Sequence, residues 1–224
     1  MIRAAIFDFD GTIADTISAL REGVNLTMRA YGYPEHTDDE IRRFINNGAR
    51  ELIRRAMPAE LQADDAQIDR VYTDYNAFYG SVYLHTDHAY DGVAELIRDL
   101  HDRGWRIGVL SNKQHVYVEG LSEQVLFAGS YDAAQGVVPG KPTKPHPYLS
   151  ELTARRLGVR PEECVMIGDS DVDILTAKNA GMHHVGVSWG YRDEDFLRAR
   201  GAERIAADPT ELRAILDEIS EKGI

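Results

Sequence analysis

A single cysteine, Cys164, in 224 residues rules out an intramolecular disulfide framework and fits a reducing compartment. No apolar run approaches the roughly 18 residues that a membrane-spanning helix needs. The opening apolar stretch meets Asp8 after only a few residues, too soon for the apolar segment of a secretory leader. Basic side chains are scarce, with 25 Lys and Arg against 37 Asp and Glu and a formal charge of −12. That balance argues against non-specific nucleic-acid binding and against dependence on anionic lipid. It leaves an anionic substrate open, because a local cluster of cations outweighs a distant field. There are no internal repeats, low-complexity tracts or long Pro/Gly/Ser linkers, so any connection between domains is short. Hydrophobic residues make up 43% and charged residues 28%, a globular composition with a length prior of one to two domains. The expected protein is cytoplasmic, a monomer or homodimer, with neither membrane nor nucleic acid as partner.

Short apolar runs alternate with amphipathic stretches over most of the chain. Ile6-Phe7 leads into Asp8, Arg106-Ile107-Gly108-Val109-Leu110 into Ser111, and Cys164-Val165-Met166-Ile167 into Gly168-Asp169. His184-Val185-Gly186-Val187 leads into Ser188, and Arg204-Ile205-Ala206-Ala207 into Asp208. Each run is too short for a helix and ends in a polar or Gly-containing loop, as buried parallel strands do. Between them lie helical patterns, such as Val93, Leu96, Ile97 and Leu100 closed by Gly104, and Leu212, Ile215, Leu216 and Ile219 after Asp208-Pro209. The repetition predicts an α/β fold with a doubly wound, Rossmann-like parallel sheet. Residues 15–87 break the alternation. They hold amphipathic helices only: one over Leu20 to Tyr31, one or two over Ile41 to Met57 interrupted near Asn47-Gly48, and one over Val71 to Tyr79. This predicts an all-helical domain of residues 15–87 inserted into a core made of 1–14 and 88–224.

In open α/β sheets ligands bind beyond the carboxyl ends of the strands. After the first strand come Asp8, Asp10, Gly11 and Thr12; after the second, Ser111, Asn112 and Lys113; before a later helix, Lys144-Pro145; after the next core strand, Asp169, Asp171 and Asp173. The carboxylate sets Asp8/Asp10 and Asp169/Asp173 would repel each other strongly without a cation. Hard oxygen ligands of this kind suit Mg²⁺. Ser111 and Lys144 can donate to phosphate oxygens, and an Asp can attack phosphorus while a second Asp handles the proton. Each element alone is an ordinary cap or turn. All four in this order at strand ends or helix starts point to one phosphate-handling site.

The runs Asp8-Phe9-Asp10-Gly11-Thr12, Ser111-Asn112, Lys144-Pro145 and Gly168-Asp169-Ser170-Asp171-Val172-Asp173 resemble the four motifs of the haloacid dehalogenase-like hydrolase superfamily, over essentially the whole chain. The helical insert resembles that superfamily's type-1 cap. The resemblance implies Asp8 as nucleophile, Asp10 as general acid and base, Lys144 as the charge-balancing lysine, and Ser111, Asn112 and Thr12 on the phosphate. It implies Mg²⁺ held by Asp8, the backbone carbonyl of Asp10 and Asp169, with Asp173 supporting the metal's water shell or Lys144. Lys141 competes for the lysine role, and Lys144 is preferred because Lys-Pro-His-Pro opens a helix directly. The dehalogenases of the superfamily lack an acid where Asp10 stands. Its phosphonate hydrolases use a cap lysine, and no lysine precedes Lys113 here. Its sugar phosphomutases typically carry Val where this chain has Thr12.

Asn46-Asn47-Gly48-Ala49-Arg50, Tyr90-Asp91-Gly92-Val93 and Val187-Ser188-Trp189-Gly190-Tyr191 resemble the phosphoglycolate phosphatase group. That implies a small phosphorylated metabolite as partner, 2-phosphoglycolate first. Arg50, beside the Gly-containing loop of the insert, is the candidate cap residue for substrate, with a solvated helix position in a run with Arg42, Arg43, Arg54 and Arg55 as the alternative. Pyrophosphate, sugar or nucleotide phosphates, a phosphomutase, and a non-catalytic binding module are the alternatives. The pair His85 and His88 reads as linker, His183-His184 as packing, Cys164 as an inert core thiol, and Tyr72, Tyr75, Phe78 and Tyr79 as cap core.

Overall fold

The computed structural model describes residues 2–45, 47–86 and 88–222. Asn46, quoted above in the run before Arg50, and Asp87, the expected end of the insert, lie outside the described residues. The chain divides into two compact units, Met1–Asp15 with His88–Ile224, and Thr16–Asp87.

Among the described residues the first unit holds six strands, β1 (Ala4–Phe7), β2 (Arg106–Gln114), β3 (Ala133–Val137), β4 (Cys164–Gly168), β5 (His183–Val187) and β6 (Ile205–Ala206). They lie in the order β3-β2-β1-β4-β5-β6, and every pair is parallel. β1 is Ala-Ala-Ile-Phe, buried at every position, because a central strand of a parallel sheet is covered on both faces. Phe7 pairs with Val109 of β2 and Ile167 of β4, so three strands end side by side. The strand order reverses about β1, and crevices at such a reversal open beyond the carboxyl ends. Helices α5 (Val93–Asp102), α6 (His115–Val125), α7 (Tyr148–Leu157), α8 (Asp171–Ala180), α9 (Glu194–Ala199) and α10 (Pro209–Lys222) flank the sheet. Ala4, Ile6, Leu110, Cys164 and Met166 from the strands pack with Leu149, Ala154 and Leu157 of α7 and Ala177 of α8. Cys164 is buried and its thiol is pushed up to about 12 by desolvation, as an inert core thiol should be.

Three features depart from the sequence reading. β3 and α6 were not expected. Ala133-Ala134-Gln135-Gly136-Val137 carries few large apolar groups because β3 is the edge strand of the sheet. β2 does not stop at Leu110 but continues to Gln114, past a register irregularity between Leu110 and Gln114.

The second unit consists of α1 (Ile17–Ala30), α2 (Asp38–Phe44), α3 (Ala49–Ala56) and α4 (Asp65–Val82), with single 3₁₀ turns at Ala59–Leu61 and Tyr83–His85. Thr37 and Glu40 form a reciprocal capping box at the start of α2, and the Asp64 side chain caps α4; each cap satisfies otherwise orphaned N–H groups. Tyr75 and Tyr79 are buried and stacked with centroids 5.5 Å apart, while Tyr72 and Phe78 are half-buried. His85 bonds Glu22 at 2.8 Å, a surface pair rather than a metal site.

Candidate active site

Asp8 is the first residue beyond β1. Its N–H donates to the Ile167 carbonyl of β4 at 2.8 Å, which carries the sheet register one residue past the strand. The Phe9 N–H and the Lys144 ammonium both donate to Asp8 Oδ1 at 2.8 Å. Residues 9–14 then coil into a tight loop, in which the Thr12, Ile13 and Ala14 N–H groups all donate to the Phe9 carbonyl. The Tyr90 N–H donates to Ile13 O at 2.8 Å, so the two chain segments bordering the insert are joined within the core unit. Gly11 has φ +79° and no space for a Cβ, which would collide with the Asp169 carboxylate and the Tyr191 ring; only glycine meets both demands.

Lys144 is held from both ends. Asn112 clamps its backbone, donating from Nδ2 to Lys144 O at 2.9 Å and accepting the Lys144 N–H at 2.8 Å. At the other end the ammonium donates to Asp8 Oδ1 and Asp173 Oδ1, each at 2.8 Å, and to Leu110 O at 3.3 Å. Lys144 is almost completely buried. Burial pulls its pKa down, but Asp173 and Asp8 outweigh that and hold it above the ordinary lysine value. Asp173 sits in the first turn of α8, fully buried, and accepts the Ser170 hydroxyl at 2.6 Å on its other oxygen. Each of its oxygens thus accepts one bond from a neighbouring side chain.

Asp169 follows β4. Its Oδ2 accepts the Tyr191 N–H at 2.7 Å, and its Oδ1 faces the Thr12 hydroxyl at 3.4 Å. Trp189 Nε1 donates to Thr12 O at 3.1 Å, so the loop after β5 fastens the loop after β1. Gly190 lies where a Cβ would collide with the Gly11 carbonyl and with Asp169. Asp8, Asp169 and Asp173 each offer an oxygen within 4.8 Å of the others. Desolvation, then repulsion from Asp173, pushes the Asp169 carboxyl up to about 7. The same two causes raise Asp8 well above its usual range, against the pull of Lys144. Three acids so arranged carry more negative charge than one lysine balances, and a hard divalent cation fits that deficit.

Most of the residues read from sequence thus converge. Asp8, Asp10, Thr12, Ser111, Asn112 and Asp169 belong to the ends of β1, β2 and β4 and the loops beyond, Lys144 to the segment between β3 and α7, and Asp173 to the first turn of α8. Ser111 is buried at the extended end of β2. Two side chains expected on phosphate have other partners. Thr12 is fully buried with its hydroxyl toward Asp169, and Asn112 bonds the Lys144 backbone; a buried polar group must be satisfied locally. Lys141 is elsewhere, 5.7 Å from the Tyr148 ring centroid. Arg50 belongs to the helical unit and bonds Asp65 at 2.8 Å and Asp69 at 2.7 Å, so contact with a substrate would require it to leave both carboxylates. Sequence reasoning gave no role to Ser170, Gly190 or the Tyr191 N–H. The Trp-Gly-Tyr run at the end of β5 was the available signal.

The sequence model of the haloacid dehalogenase-like hydrolase family matches residues 5–187. A phosphoglycolate phosphatase of Vibrio vulnificus (strain CMCP6) is 29% identical over 209 residues, covering 92% of each chain. Among solved structures, a protein of Lactobacillus delbrueckii subsp. bulgaricus with a provisional phosphoglycolate phosphatase name superposes with TM-score 0.88. It is 30% identical and covers 96% of this chain and 98% of its own. CbbY of Rhodobacter sphaeroides, solved with phosphate, superposes with TM-score 0.76 at 27% identity over 95% of this chain and 96% of its own; a mutant of it was solved with xylulose-1,5-bisphosphate. With residues 5–187 inside that family's sequence model, the chain belongs to the haloacid dehalogenase-like hydrolases.

Proposed function

We infer that the protein is a Mg²⁺-dependent phosphoric monoester hydrolase that acts on a small phosphorylated metabolite, with 2-phosphoglycolate as substrate. The observation that carries this reading is Asp8, buried at the end of the central strand against Lys144, with a second acid, Asp10, two residues on. The phosphatase names of the full-length relatives support it. An Asp8 oxygen attacks phosphorus, and the bond from phosphorus to the ester oxygen breaks. Asp10 gives its proton to the departing alkoxide. The resulting aspartyl-phosphate is then cleaved by water, whose proton Asp10 takes up, returning Asp8 as carboxylate. Ser111 and Lys144 donate to the phosphoryl oxygens, where negative charge builds. Asp8, Asp169 and the Asp10 carbonyl would hold Mg²⁺, which supplies positive charge to the same oxygens when bound. Asp173 serves by fixing Lys144. The helical unit is read as the type-1 cap of this family.

Release of inorganic phosphate across a panel of phosphometabolites tests the reading. The expected result is the highest kcat/KM on 2-phosphoglycolate. A second reading, a sugar-phosphate enzyme, is favoured by the likeness to CbbY. Interconversion of sugar-phosphate isomers without net phosphate release would replace the hydrolase with a phosphomutase.

Metal dependence has a pH signature. Asp169 has a folded value of about 7 against an ordinary 3.8. A folded value above the unfolded one contributes stability that is complete below the unfolded value and lost as pH rises through the folded one. The metal-free protein therefore loses stability through this group as pH rises toward about 8, and a cation bound by the carboxylate restores it. Millimolar Mg²⁺ is expected to raise Tm more at about pH 8 than at about pH 6, and excess chelator to remove activity. Full activity in chelator, or a Mg²⁺ shift in Tm that ignores pH, would contradict the metal site.

A further inference from the structure

The continuation of β2 past Leu110 carries Ser111, Asn112 and then Lys113. It delivers a second buried lysine to the site, distinct from Lys144. The Lys113 ammonium lies 3.3 Å from Asp10 Oδ1, with its side chain 6% exposed against 24% for Asp10. Lysine is almost never buried to this degree without a charged partner. Here the partner is the acid assigned to the leaving group. Lys144 already serves the nucleophile's side, bound to Asp8, Asp173 and the Leu110 carbonyl. Lys113 serves the other side. The ester oxygen that departs from phosphorus must come within hydrogen-bond reach of Asp10, and the ammonium beside Asp10 then lies next to whatever that oxygen's carbon carries.

We propose that Lys113 is a specificity-determining residue whose ammonium binds a carboxylate on the carbon adjacent to the ester oxygen, so that the substrates are phosphate esters of α-hydroxy acids. The proposal rests on the phosphatase reading, with Asp10 as proton donor, and deepens it by naming the residue that recognises the substrate's carboxylate. In such an ester the carboxylate carbon is two bonds from the departing oxygen, so one small group reaches both Asp10 and Lys113. An ester of a plain alcohol brings the ammonium no carboxylate beyond that of Asp10. Lysine offers three N–H donors on a compact charge, so it can hold the substrate carboxylate and Asp10 together. During the step the proton passes from Asp10 to the ester oxygen as the bond to phosphorus breaks. Lys113 keeps its charge and its carboxylate partner throughout. Arg50, the cap residue expected on substrate, is bonded to Asp65 and Asp69 in the helical unit.

The test crosses substrate charge with residue charge. Wild-type enzyme, Lys113→Gln and Lys113→Arg are assayed on 2-phosphoglycolate, on its neutral isostere 2-phosphoglycolamide, and on phenyl phosphate. Wild type should prefer the acid over the amide by about tenfold or more in kcat/KM, chiefly through KM, as expected for one charge-assisted hydrogen bond. Lys113→Gln should bring the two substrates to within about threefold of each other, and Lys113→Arg should keep the preference. Equal use of acid and amide by wild type overturns the proposal without any variant. So does a preference that survives in Lys113→Gln, an equal loss on both substrates, which would place Lys113's role on Asp10 alone, or loss of the preference in Lys113→Arg. Should Lys113→Gln fail to fold, the wild-type and Lys113→Arg results still decide. Failure of wild type to release phosphate from all three esters would remove the phosphatase reading instead, a result distinct from any of these.

Discussion

Asp8→Asn is expected to lower kcat by roughly 10⁴-fold or more, the scale of losing a nucleophile that acts as part of a unit, while leaving the metal-free protein at least as stable as wild type. The amide has the shape of the carboxylate but cannot form the covalent phosphoryl intermediate. The packing reasons are as specific. The bonds from the Phe9 N–H and the Lys144 ammonium, both 2.8 Å to Oδ1, can be accepted equally by an amide oxygen. Desolvation and then Asp173 already push the Asp8 carboxyl well above its usual range, so replacing a costly buried charge with a neutral group relieves repulsion. Steady-state phosphate release and thermal melts in chelator, both at about pH 8, read the two parts. A residual kcat within about tenfold of wild type would remove Asp8 from the nucleophile's role. A large fall in Tm with the loss of activity would mean the residue is structural.

The same residues explain how much of the fold and site is legible in the sequence. β1, β4 and β5 were legible because a strand covered on both faces must be apolar at successive positions, as Ala4–Phe7 and Cys164–Gly168 are. β3 was not, because Ala133–Val137 is an edge strand with Gln135 and Gly136 at its centre. Asp8 and Asp169 were legible because charged residues directly beyond apolar strands have few other reasons to be there, and Lys144 because Lys-Pro-His-Pro opens a helix directly. The partners of Thr12 and Asn112 were not legible. A small polar side chain at a strand end has the same sequence signature whether it meets a phosphate, a carboxylate or a neighbouring backbone. The loop after β5 was hidden for a different reason. Its grip on Asp169 is the N–H of Tyr191, a group every residue but proline has, and Gly190 contributes by having no side chain at all. Lys113 was visible beside Ser111 and Asn112, but its contact with Asp10 depends on β2 running on as an extended strand beyond its apolar segment.

Lys144→Met should be the variant that damages folding and catalysis together. Methionine keeps much of the volume and removes the ammonium that joins Asp8 to Asp173 at 2.8 Å each. The three acids that approach within 4.8 Å of one another then lose the cation bonded to two of them, while Lys113 stays paired with Asp10. Removing one partner of a buried ion pair typically costs ~3–5 kcal/mol, because the surviving charge remains desolvated. The loss should depend on pH with a definite sign. Asp8 and Asp169 already bind protons more tightly than in the unfolded chain, and deleting the cation raises both further. Protonation relieves the repulsion, so the variant should approach wild-type stability as pH falls and diverge from it as pH rises. Mg²⁺ should recover part of the stability, since it replaces some of the missing positive charge, but not the turnover. The phosphoryl group would still lack a donor at the point where its charge develops, a loss on the order of 10² to 10³ in kcat. Lys144→Arg should not rescue it, because the planar fork needs more room than the buried ammonium between Asp8, Asp173 and the Leu110 carbonyl occupies. Denaturant unfolding of wild type and variant in chelator at about pH 6 and about pH 8, beside kcat with saturating Mg²⁺, tests all of this. A stability difference under about 1 kcal/mol at both pH values, with kcat within about tenfold of wild type, would show that the site does not depend on this lysine.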